Sequence, residues 1–182
     1  MSKKVAILAT NGFEESELSS PLKAMKDEGF HVDIVSLNDA DIKSWNDGDW
    51  GESFKVDKTL DQVSAKDYNA LVLPGGVINP DLLRVEEEAL IFIRDFFKQS
   101  KPVAAICHAA WSLISAEVVD GRTLTSYKSI RKDLENAGAL WVDEEVVVDE
   151  ALVTSRNPGD LEAFNAKVIE EVNEGKHDLQ QA

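Results

Sequence analysis

Only one of the 182 residues is a cysteine, Cys107. A single thiol excludes an intrachain disulfide and any zinc site needing two thiolates from one chain, so no metal is expected. No apolar run approaches the ~18 residues of a membrane-spanning helix, and no membrane partner is expected. The start, Met1-Ser2-Lys3-Lys4, lacks the long apolar region of a secretion signal, which makes a cytoplasmic location the expectation. Basic residues are scarce: 19 Lys and Arg against 34 Asp and Glu leave a net charge of −15. Phosphate-rich partners are held by Lys and Arg, so this balance argues against nucleic acid or an anionic membrane as the main partner. No repeat, low-complexity tract or Pro/Gly/Ser linker interrupts the chain. At ~150 residues per domain it reads as one domain, 1–182, with a polar tail over 175–182 expected to fray.

What is present is an alternation of short apolar runs with longer amphipathic ones. Val5 to Thr10, His31 to Ser36, Ala70 to Leu73 and Pro102 to Ile106 read as strands. Between them, Glu14 to Glu28 reads as a helix with Pro21 a candidate interruption and Gly29 its stop. Pro80 to Gln99 reads as one helix with Leu82, Leu83, Ala89, Ile91, Ile93, Phe96 and Phe97 on its apolar face, and His108 to Ala116 as a buried helix. Trp141 to Arg156 looks like a hairpin and Pro158 to Glu174 a closing helix. The stretch Asp39 to Gln62 fits no clean period and is expected to be a long loop with one short strand. Strands apolar on both faces that alternate with helices indicate an α/β fold with a largely parallel sheet covered on both sides.

Cys107 falls where an apolar strand ends and a helix begins. Ligands of open α/β sheets gather outside the carboxyl ends of the strands. A helix N-terminus there favours a thiolate and predicts a thiol pKa below the ~8.5 of a free cysteine. A buried structural cysteine is the other reading. His108 follows directly and is a candidate base for the thiol, although adjacent side chains on a helix do not face one another. Pro74-Gly75-Gly76 closes another strand; its amides, with that of His108, could hold an oxyanion. Asn11-Gly12-Phe13-Glu14-Glu15-Ser16-Glu17 places three carboxylates at the first strand–helix junction. Most are expected to be solvated first-turn acids, with one pointing inward at the thiol. Trp111 reads as core packing, Trp45 and Trp50 as sheet-edge or interface packing or a substrate wall, and Arg156 as a surface ion pair or an anion contact.

Asn11 to Leu18, Leu71 to Gly76, Val103 to His108 and Gly121 to Tyr127 together resemble the PfpI family of the ThiJ/PfpI superfamily. The resemblance runs from Val5 to about Val172. It implies a three-layer α/β sandwich of the flavodoxin-like, class I glutamine-amidotransferase-like kind, with a mostly parallel sheet and a C-terminal hairpin. It implies Cys107 as nucleophile, Glu17 as the protonated carboxyl beside the sulfur, and Gly75, Gly76, His108 and Ala109 around the oxyanion. Ala109 stands where some members carry glycine. The resemblance also implies that His108 pairs with an acidic residue lent by a neighbouring subunit, here Asp81, so that a homodimer or higher homo-oligomer completes the site. Tyr127 occupies the place where other branches carry a histidine.

The function implied is a cysteine-nucleophile enzyme, with no cofactor, acting on a small carbonyl compound, a glycated adduct or a peptide: a protease or amidase, a deglycase, or a glyoxalase-III-like enzyme. The alternative is a non-catalytic redox sensor or stress-response protein built on an oxidisable low-pKa Cys107. The histidine beside the thiol favours the enzyme, since a sensor needs no general base.

Overall fold

The computed structural model describes residues 2–177. In chain order the elements are β1 (Lys4–Leu8), α1 (Glu15–Asp27), β2 (His31–Ser36), β3 (Ile42–Asn46), β4 (Asp49–Phe54), β5 (Lys58–Thr59), β6 (Ala70–Leu73), α2 (Ile78–Leu83), α3 (Glu87–Lys98), β7 (Val103–Ile106), α4 (Ala110–Ser115), β8 (Thr123–Leu124), α5 (Arg131–Asn136), β9 (Leu140–Trp141), β10 (Val147–Asp149), β11 (Leu152–Ser155) and α6 (Leu161–Glu174). A seven-stranded sheet runs in the order β10-β11-β7-β6-β1-β2-β5. All its pairings are parallel except β10 with β11, the C-terminal hairpin.

The period of two along each strand divides the core. Val5 and Ile7 of β1, with Val72 of β6 and Ala104 of β7, face Leu18 and Met25 of α1 and Phe164 and Val168 of α6. Ala6 and Leu8, with Leu71, Leu73 and Ala105, face Phe92, Ile93, Phe96 and Phe97 of α3, Leu113 of α4 and Leu134 of α5. Helices therefore cover both faces, which is why these strands read as unbroken apolar runs rather than alternating ones.

Four local expectations need correction. Pro21 lies inside α1 without interrupting it. The single helix over 80–99 is two: α2 ends at Leu83, and an extended Glu86 (φ −96°, ψ 107°) precedes α3. The stretch 39–62 holds three strands, because β3 and β4 form an antiparallel hairpin and β5 joins the sheet edge. In the tail, residues 178–182 lie outside the described residues, whereas His177 donates its backbone N–H to Ser100 O at 3.0 Å and pairs through Nε2 with Glu171 at 2.9 Å.

The chain reverses its course across the sheet at β1, which lies between β2 and β6. Carboxyl ends flanking such a reversal open a crevice for ligands. The segments after β1, β6 and β7 carry Glu14 to Glu17, Gly75-Gly76 and Cys107-His108.

Candidate active site

Cys107 is the first residue after β7 and holds φ +64°, in the left-handed region. A non-glycine residue there stores backbone strain, on the order of 1 kcal/mol or more, and such strain recurs where a reactive side chain must be presented. The turn has a direct consequence. His108 is the next residue, yet its Nδ1 lies 3.2 Å from Cys107 Sγ. Neighbours on a regular helix cannot meet this way; the left-handed turn before the short 3-10 segment Cys107–Ala109 permits it. Ala109 itself is relaxed, with φ −56° and ψ −25°. The alanine-for-glycine difference therefore costs the turn nothing, since the strain sits one position earlier.

The imidazole is held on three sides. Its Nε2 lies 3.1 Å from Ser129 Oγ. Its face stacks on Tyr127, with centroids 4.7 Å apart, and Trp111 approaches edge-on at 5.1 Å. The Tyr127 backbone N–H donates to Cys107 O at 3.2 Å, tying this segment to the turn. Burial lowers the His108 pKa below its ordinary value, so the ring is neutral near pH 7.

Glu17, in the first turn of α1, is completely buried and accepts the Gly75 N–H at 2.9 Å. Burial pushes its carboxyl up to about 8, against the pull of the Gly75 and Gly76 amides and Cys107. At neutral pH it carries a proton. Cys107 is 7% exposed, and burial followed by the proximity of Glu17 pushes the thiol well above its ordinary value, while the His108 and Gly76 amides pull the other way. The expected lowering by a helix N-terminus is overturned. The helical segment after Cys107 is short, and desolvation outweighs it. With Glu17 protonated its charge no longer opposes the thiolate.

Gly75 is required by space: a Cβ there would come within 2.6 Å of Glu17 Oε2 and of Ile106 O, and 2.8 Å from Cys107 Cβ. Gly76 holds φ +76° and would meet the backbone of Gly12 and Glu14. Gly75 thereby sets its amide on the Glu17 carboxyl, and the dipole of the Gly76 amide favours the charged forms of carboxyl and thiol.

Of the three acids expected to be mostly solvated, Glu17 is buried and Glu15 is an anchor. Glu15 accepts from Ser44 Oγ at 2.6 Å, Asn46 Nδ2 at 3.0 Å and Glu52 N at 2.8 Å. Its carboxyl is held down by the Glu52 amide and the Ser44 hydroxyl. Within one chain Asp81 does not reach His108: it is exposed on α2, and both ring nitrogens already face Cys107 and Ser129. Arg156 is spent on Asp160, at 2.9 and 3.0 Å, and on Asp143 at 2.8 Å, so it acts as a clamp. Trp111 donates Nε1 to Asp133 at 2.9 Å and walls the imidazole. Ser129 and Asn79 carry contacts here that no motif in the sequence marked.

Residues 3–171 match the model of the DJ-1/PfpI family. The chain is 44% identical over 170 residues to Protein/nucleic acid deglycase 2 of Escherichia coli, covering 93% of this chain and 97% of that one. It is 45% identical over 166 residues to Deglycase PfpI of Pyrococcus furiosus, covering 91% and 97%. Among solved structures, Drosophila melanogaster DJ-1beta superposes with a TM-score of 0.85 at 31% identity, covering 96% of this chain and 95% of the other.

Proposed function

The chain belongs to the DJ-1/PfpI family, and we propose that it is a PfpI-type cysteine enzyme acting on small carbonyl compounds and their early glycation adducts. The observation that carries this reading is the 3.2 Å contact between Cys107 Sγ and His108 Nδ1 beside the buried, protonated Glu17. The deglycase names of the two bacterial and archaeal relatives support the substrate class. So does the recessed sulfur, which suits a small electrophile better than a folded protein.

In the first step Sγ bonds to the carbonyl carbon, the carbonyl electron pair moves to oxygen, and the thiol proton passes to His108 Nδ1. The Gly76 and His108 amides face the oxygen that gains charge. Glu17 holds a proton it can give to that oxygen. For methylglyoxal, hydrogen transfer from the attacked carbon to the neighbouring carbonyl carbon leaves a thioester. Water then cleaves it to lactate, so the net reaction is hydration with internal redox. An amine adduct adds one water and yields lactate plus the free amine by the same balance.

The site reads as shared between copies of the chain. Asp81 is exposed, and Val77, Leu82 and Val85 around it are 55%, 43% and 74% exposed. An apolar rim around an acid suits a homo-oligomeric contact that brings Asp81 of one copy to the His108–Ser129 edge of another.

The redox-sensor reading needs no general base, whereas His108 Nδ1 stands 3.2 Å from the sulfur, which favours the enzyme. The deciding experiment is lactate formation from methylglyoxal by freshly reduced protein in amine-free buffer. Turnover that Cys107→Ala loses is expected. No turnover, with the thiol reduced and alkylatable, overturns the carbonyl reading.

A further inference from the structure

We propose that Asn79 is a positioning residue that aims the Gly75 and Gly76 amides at the site, an inference that rests on the catalytic reading above. Asn79 is completely buried in the first turn of α2. Its Oδ1 accepts the Thr10 backbone N–H at 2.8 Å, fixing it to the end of β1. Its Nδ2 donates to Pro74 O at 2.9 Å and to Gly75 O at 3.2 Å. One carboxamide thus grips two successive carbonyls.

The consequence follows from peptide geometry. In a trans peptide the C=O and the next N–H share a rigid plane and point opposite ways. Described residues contain no cis bond. Holding Pro74 O toward Asn79 turns the Gly75 N–H the other way, where it meets Glu17 Oε2 at 2.9 Å. Holding Gly75 O turns the Gly76 N–H away from Asn79, to the side of Cys107 and Glu17, where its dipole favours their charged forms. A pair of glycines cannot hold these planes by itself, because glycine readily takes either sign of φ. Rotation of the 75–76 plane would present a carbonyl oxygen to the developing oxyanion instead of a donor. Asn79 blocks that rotation from behind, without touching the reacting atoms.

The test uses Asn79→Asp and Asn79→Ala in the full chain. Asn79→Asp keeps the shape and the acceptor for Thr10 but puts an oxygen against two carbonyls. Methylglyoxal kcat is expected to fall about ten- to a hundredfold, with KM held within about threefold, as for a weakened oxyanion donor. The pH midpoint of Cys107 alkylation by iodoacetamide is expected to move up, because Glu17 and the thiol both lose donors. A folded variant with wild-type kcat and midpoint overturns the proposal, as does a variant whose sole change is a lower Tm. Should wild type itself fail to turn over methylglyoxal, the catalytic reading fails, while the alkylation midpoint still decides the role of Asn79. If neither variant folds, 15N-labelled wild type decides: Asn79 side-chain protons protected from exchange along with the Gly75 and Gly76 amides support the clamp, and freely exchanging ones overturn it.

Discussion

Ser129 Oγ stands 3.1 Å from Nε2 of His108, on the side of the ring opposite the sulfur. For Nδ1 to take the thiol proton its lone pair must be free, which requires the hydrogen on Nε2. The Ser129 hydroxyl can accept that hydrogen, so the contact accommodates the productive tautomer. Because Ser129 is exposed, its contribution is modest: Ser129→Ala is expected to lower kcat/KM about three- to tenfold, in line with one hydrogen bond. Ser129→Thr should keep most of the activity. Steady-state kinetics on both variants checks this, and an unchanged Ser129→Ala removes the hydroxyl from the relay.

The Glu17 carboxyl, raised by burial from 4.5 to about 8, makes stability depend on pH in a defined direction. Between these values the folded chain keeps a proton that the unfolded chain releases. The contribution is whole below about pH 4.5 and is lost as pH rises through about 8. Wild-type Tm should therefore fall more steeply from pH 5 to 8 than that of Glu17→Gln, which does not titrate. Parallel curves in thermal melts of the two proteins would show that Glu17 is ionised in the fold.

Gly75→Ala should damage stability and chemistry together. Its methyl group would crowd the Ile106 carbonyl oxygen and Glu17 Oε2, both at 2.6 Å. Backbone cannot yield as a flexible side chain does, and overpacking of this kind costs about 1–3 kcal/mol. A drop in Tm with loss of Cys107-dependent turnover is the expected pair of readings. A variant with wild-type values for both would contradict the close approach at Gly75.

The exposed residues around Asp81 lead to a prediction about assembly. Val85, 74% exposed, should lie inside a contact between copies, so Val85→Asp should lower the mass seen by light scattering and the activity with it. Asp81→Ala should lower activity while leaving the assembly intact. Full turnover by an isolated monomer would disprove a shared site.

Legibility from sequence followed burial. β2 and β6 were readable to the residue because apolar runs closed by turn residues are unambiguous. The break between α2 and α3 was hidden, since Leu82, 43% exposed, mimics a core position in the period. The β3–β4 hairpin was hidden because β4 is largely exposed and shows no alternation. Cys107 and the two glycines could be found because they stand just after strands in recognisable runs, and Glu17 because the run Asn11 to Leu18 resembles the family's. Asn79 and Ser129 could not, being single polar residues whose importance lies in which atoms they reach. The thiol was misjudged for a related reason: a sequence displays the helix that follows a cysteine, but not the depth at which the sulfur is set.

The hairpin bears on how such a chain can diversify. Its base is fastened by the three donors on Glu15, by Gly12 N to Lys43 O at 2.8 Å and by Trp45 N to Phe13 O at 2.7 Å. Its tip, Asp47-Gly48, turns with φ +48° and +87°, both in the left-handed region, and takes no part in that fastening beyond Asn46. Trp45 and Trp50 pack edge to face at 5.4 Å just below it. The exposed tip can be replaced by a turn of another length while the loop that delivers Glu17 stays where it is, although a two-residue turn there needs Asp-, Asn- or Gly-type residues. The fold thus separates a base that must hold its place from a neighbouring tip that need not, and descendants of this chain can explore new surfaces beside an unaltered nucleophile.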